Sequence, residues 1–121
     1  MAEMKPSGTC FDDALDYFLI VPVELRESHT VVHAICQRFG ELFAHAWVEY
    51  SDGARRYFFE GVRVDGVKGY RCLTPTEHAS RFIVVETTRY TFAEALAENA
   101  RHDTFGPWIP RYLALTKPRP A

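Results

Sequence analysis

The chain is poor in the features that staple or address small proteins. It has three cysteines in 121 residues, Cys10, Cys36 and Cys72, an odd number with no CxxC spacing. That argues against a disulfide framework and against a zinc site, and it suits a reducing compartment. The first nine residues, MAEMKPSGT, hold no apolar run of the kind a signal peptide needs. The longest apolar run, YFLIVPV, contains a proline and is far too short to cross a bilayer. Charge of one sign is lacking too. The formal net charge is -2, which argues against a general binder of nucleic acid or of an acidic membrane. The basic end, TKPRPA, is too short to change this. These absences predict a cytoplasmic protein with no nucleic-acid and no membrane partner.

What is present suffices for one core: 47% of residues are hydrophobic and 14% aromatic, so folding needs no staples. With no repeat, low-complexity tract or linker, residues 1–121 are expected to form a single domain with flexible ends at 1–9 and 113–121. In CFDDALDYFLIV (10–21), Phe11, Ala14, Leu15, Phe18 and Val21 recur at helical spacing, Asp12 and Asp13 suit a first helical turn, and Pro22 ends the helix. HTVVHAICQ (29–37), FAHAWVEY, RYFFEGVRV, VKGYRCL and RFIVVETTRY are strand-like, with Asp-Gly turns at 52–53 and 65–66. Thr74 to Glu77 and Thr91 to Glu94 are capping boxes that start two helices, the second with Ala93, Leu96, Ala97 and Ala100 on one face. Trp108, Ile109 and Tyr112 are expected to pack irregularly over the core. The fold class is α+β: an N-terminal helix against an antiparallel meander, with a later helix.

The first Asp-Gly turn sets an expected register. A two-residue type I′ turn at Asp52-Gly53 places Ser51 opposite Ala54, Glu49 opposite Arg56, Trp47 opposite Phe58 and His45 opposite Glu60. His45 and Glu60 then share a face, close enough for a hydrogen bond that fixes the imidazole tautomer and steadies the imidazolium. The same pairing also occurs for structure alone. Cys10, at the edge of the first helix, is the best nucleophile to complete such a site, because a helix N-terminus and a neighbouring imidazolium both favour thiolate. Cys36 is the fallback, and Cys36 and Cys72 are otherwise expected to be packing residues. His29 and His33 lack metal-binding spacing in a strand, and His78 and His102 fall at helix margins, where solvation is expected. Neither metal nor cofactor is expected.

GTCFDDAL, FAHAWVEY and an acidic residue on the following strand together resemble the papain-like thiol enzymes, most closely their compact NlpC/P60- and transglutaminase-like branches. The resemblance covers roughly residues 8–61 and keeps the order cysteine, histidine, acid. It implies Cys10 as nucleophile, His45 as general base and acid, and Glu60 as orienter, where aspartate is commoner. No glutamine precedes Cys10 as an oxyanion donor, so Ser7, Thr9 or backbone N–H groups would serve. Thr9 and Trp47 are the expected substrate contacts. The implied activity is hydrolysis of an amide, peptide or isopeptide bond in a peptide or protein substrate. Acyl transfer by the same Cys-His-Glu site is the near alternative. A catalytically inert binding module, with Phe105, Trp108 and Tyr112 as an adhesive patch, is the more distant one.

Overall fold

A computed structural model describes residues 5–6 and 10–116. It is α+β. The elements are β1 (Lys5–Pro6), α1 (Cys10–Leu19), a 3-10 turn (Val23–Ser28), β2 (His29–Arg38), β3 (Glu41–Ser51), β4 (Arg56–Val64), β5 (Val67–Leu73), α2 (Pro75–Ala79), β6 (Ile83–Tyr90), α3 (Phe92–His102) and α4 (Pro110–Leu113). β2 to β5 form the antiparallel meander, β6 pairs with β2, and β1 joins β4. Thr9 and most of the expected flexible ends lie outside the described residues.

The sheet has apolar packing on both faces. On the first, α1 lays Phe11, Ala14, Leu15 and Phe18 against Val31, Ala46 and Val48, with Trp108 closing the cluster. Full burial of a side chain of this size contributes about 1.5–3 kcal/mol. α1 stops at Leu19 by tightening into turns, Ile20 N–H to Tyr17 O and Val21 N–H to Phe18 O, before Pro22. On the second face Val32, Ala34, Cys36, Trp47, Phe58, Leu73 and Phe82 form a separate cluster, reached by α2. Both capping boxes are present, at Thr74 with Glu77 and at Thr91 with Glu94.

The β3–β4 register differs from the expected one by two residues. Ser51 pairs with Arg56 and Val48 with Phe59, so the connection is the four residues 52–55. Asp52 does not enter a type I′ turn because its carboxylate accepts the N–H groups of Ala54 and Arg55 at 2.9 and 2.7 Å, and the Tyr50 hydroxyl at 2.8 Å. The two-residue turn with positive φ occurs at Asp65-Gly66 and also at Phe39-Gly40. A shift of two preserves the alternation of faces, so His45 and Glu60 still share one. They are diagonal, not opposite.

The inward face of α3 differs from the expected one. On α3 the buried residue is Ala95, with Phe92 packed on Phe18, while Ala93, Leu96, Ala97 and Ala100 face outward. Trp108 and Tyr112 pack into the core as expected, which leaves neither for the adhesive patch of the binding-module alternative. Trp108 donates to Thr104 O at 2.8 Å, and the Tyr112 hydroxyl bonds Glu86 and Thr88.

Candidate active site

The site forms where β3 and β4 part. They are paired only from Val48↔Phe59 to Ser51↔Arg56. Farther along, β5 holds one edge of β4, and β1 takes the other at Pro6↔Val62. The chain passes from β1 into α1 within four residues, so Cys10, first in the helix, is carried to the opening beside β3. Ala44 of β3 packs near it on the helix side. His45, next along β3, points to the other face but meets Cys10 through the parting.

His45 is 11% exposed, and its Nε2 lies 3.0 Å from Glu60 Oε2. Its ring also has a side-chain hydrogen bond with Cys10. Burial alone would lower the imidazole pKa, but hydrogen bonds to Cys10 and Glu60, with the negative charge of each, raise it to about 9. Imidazolium therefore sits between two acceptors, one a carboxylate and one a sulfur. Glu60 is 3% exposed. Burial would raise its carboxyl pKa, but hydrogen bonds from His45 and Arg81 hold it down at about 2. Arg81 Nη1 bonds Oε1 directly, and Arg71 Nη2 approaches Oε2 to 3.8 Å. The ends of four side chains thus converge on one buried carboxylate, the fourth being His78, whose Nε2 is 3.6 Å from Oε1.

His78 is buried, contrary to the solvated position expected from sequence. It stacks on Phe58 with ring centroids 4.3 Å apart and meets Trp47 edge to face at 4.4 Å. Burial pushes its pKa down to about 4, so it stays neutral beside Glu60. Arg71, Arg81 and His78 were not legible as site residues. The available signal was indirect: a carboxylate buried beside an apolar strand requires cations, and these lie on neighbouring elements. The expected substrate contact Trp47 is 2% exposed and belongs to the second core cluster, where it supports the ring of His45 at 5.7 Å. It offers no surface to a substrate.

Cys10 opens on a cavity of about 390 Å³ lined by Phe11, Asp12, Ala44, Pro107, Leu113 and Thr116, among others. Cys36 is buried on the second face, where burial drives its thiol up to about 12 and makes it a poor nucleophile. Cys72 is exposed, not a packing residue, because it points out from β5. Among the described residues no group of three His, Cys, Asp or Glu is placed to hold a metal ion, and no helix is long and apolar enough to cross a membrane. Compared with known proteins, the chain matches no family model, no curated protein and no solved structure at a significant level.

Proposed function

We propose that the protein is a small papain-like cysteine hydrolase that cleaves an amide, peptide or isopeptide bond. One observation carries this: a buried histidine whose Nε2 is fixed by Glu60 and whose protonated form is favoured by the sulfur of Cys10. A purely structural ion pair needs no thiol against the imidazole.

The chemistry follows from the placement. The Cys10 thiolate attacks the carbonyl carbon, and the oxyanion forms near the first-turn N–H groups of α1, which have no acceptor within the helix. The His45 imidazolium passes a proton to the leaving nitrogen as the C–N bond breaks, leaving a thioester on Cys10 and a neutral imidazole. Water then loses a proton to the imidazole and adds to the thioester. The acid product departs and the thiolate–imidazolium pair returns. Glu60 carries its charge throughout and holds the ring, as a third group does in such triads. An amine in place of water would make the same intermediate an acyl donor.

Alkylation with iodoacetamide at pH 6–7, mapped by mass spectrometry, tests this. Cys10 is expected to react well ahead of Cys36 and Cys72. His45→Ala is expected to slow Cys10 by about 10²-fold or more, the scale of general acid–base assistance. A Cys10 that reacts only after unfolding, or no faster than the exposed Cys72, would leave the cluster a structural ion network on a binding module.

A further inference from the structure

We propose that the cavity beside Cys10 receives a cationic side chain with an apolar stem, so that the substrate is a peptide with lysine or arginine next to the scissile bond. The proposal deepens the hydrolase function and rests on it.

The walls decide the stem. Phe11, Ala44, Pro107 and Leu113 present carbon to the cavity, whose volume of about 390 Å³ accommodates one long side chain and adjoining backbone. The three or four methylenes of arginine or lysine lie well along such a surface while the head group stays with a polar partner.

The charges decide the head group. Among the described residues, the one ionisable group lining the cavity apart from Cys10 is Asp12. Its surroundings are acidic. Lys68 bridges Asp13 Oδ1 at 2.8 Å and Asp16 Oδ2 at 3.1 Å, which leaves Asp12 with no ion-pair partner among the described residues. Asp12, Asp13 and Asp16 thus cluster around the first turns of α1. The Asp12 carboxyl pKa is raised, by burial first and then by Asp16 and Asp13, against the smaller opposing effect of Lys68. A cation entering the cavity relieves this crowding of like charge. An anionic side chain would add to it. The arginines of the site do not offset this, because Arg71 and Arg81 are directed to Glu60 on the far face.

The test needs no known substrate. Two thiosulfonate reagents with the same reactive group, 2-(trimethylammonium)ethyl methanethiosulfonate and 2-sulfonatoethyl methanethiosulfonate, differ in the sign of their charge. At low salt the cation-to-anion ratio of rates at Cys10 is expected to exceed that at the free thiol N-acetylcysteine amide by about tenfold or more, the scale of local steering in a cleft of one sign. The ratio should fall towards the free-thiol value in Asp12→Asn and Asp12→Ser, and in about 1 M salt, where screening acts within about 3 Å. Both variants keep a polar group in the first helical turn, and circular dichroism checks that they fold. A reactive Cys10 with no charge preference, or with a preference that survives both substitutions, overturns the cationic pocket and leaves the hydrolase intact. A Cys10 inert to both reagents overturns the two together.

Discussion

His33 on the helix face and His45 on the other face are treated in opposite ways, although the second face also buries a neutral histidine, His78. His33 of β2 lies on the helix face among Phe11, Tyr90 and Trp108, with ring centroids at 4.7, 5.0 and 4.8 Å. No charge reaches it, and burial pushes its pKa down to about 3. His45 of β3 lies on the other face, less completely buried, and is driven up to about 9 by Cys10 and Glu60 against the effect of burial. The difference separates packing from chemistry. A neutral imidazole among rings is a shaped apolar filler, whereas an imidazolium in the same sheet needs a dedicated carboxylate, and that carboxylate needs Arg81 and Arg71. Such a cluster costs desolvation that apolar side chains would not. The second face is the one that sustains a charged histidine.

The largest expected effect comes from removing the carboxylate. Glu60→Ala leaves Arg81 and His45 with buried charge and no counterpart, so unfolding in urea should show a loss of about 3–5 kcal/mol. Glu60→Gln, which still accepts a hydrogen bond, should lose less stability while lowering activity. A loss under about 1 kcal/mol for Glu60→Ala would equate the two faces and remove the contrast.

The neighbouring residue probes the helix face. Gly61 lies where a Cβ would collide with the Asp13 carboxylate, which is 1% exposed and tied to Lys68. Gly61→Ala must push α1 away from β4, at about 1–3 kcal/mol as overpacking typically costs. Because α1 carries Cys10, the same substitution should slow alkylation of Cys10 and not of Cys72. Unchanged Cys10 reactivity would show that the site tolerates helix displacement.

Smaller still is the pH dependence near neutrality, at most about 1.4 kcal/mol per pH unit for one proton. The two histidines contribute limbs of opposite sign. His45 has a folded pKa above its unfolded value of about 6.5, so its contribution is complete below pH 6.5 and disappears as pH rises through about 9. His33 has a folded pKa below that value, so its contribution is complete above pH 6.5 and disappears as pH falls towards about 3. Glu60, held at about 2, adds to the acid limb below pH 4.5. His45→Leu should flatten the alkaline limb, and His33→Leu should reduce the acid limb, to which His78 and Glu60 also contribute, while leaving the alkaline limb in place. Exchanged effects would mean that the charge states are assigned to the wrong faces.

Local signals account for most of what the sequence disclosed. Helical spacing from Phe11 to Phe18 marked the inner stripe of α1, and the Thr74 and Thr91 capping boxes marked two helix starts, because each depends on contacts within a few residues. The juxtaposition of His45 and Glu60 was legible for a sturdier reason than the expected register, which was wrong: alternation of faces survives a shift of two. Side-chain competition at Asp52 moved the turn, and no propensity for Asp-Gly foretold it. Arg71, Arg81 and His78 remained hidden because their roles depend on where β5 and the segment after α2 pack, which is tertiary. The outward face of α3 was misjudged for a like reason. Alanines mark a helix without fixing its rotation, and Phe92 against Phe18 fixed it instead.

The coupling of Cys10, His45 and Glu60 into one unit is tested most directly by an NMR titration of the His45 imidazole. In the wild-type chain the ring should stay protonated through neutrality and titrate near pH 9, and in Cys10→Ala its pKa should drop while His33 stays neutral throughout. A His45 that titrates at or below pH 6.5, or that is indifferent to the loss of the Cys10 sulfur, would contradict the coupling and with it the proposed hydrolase.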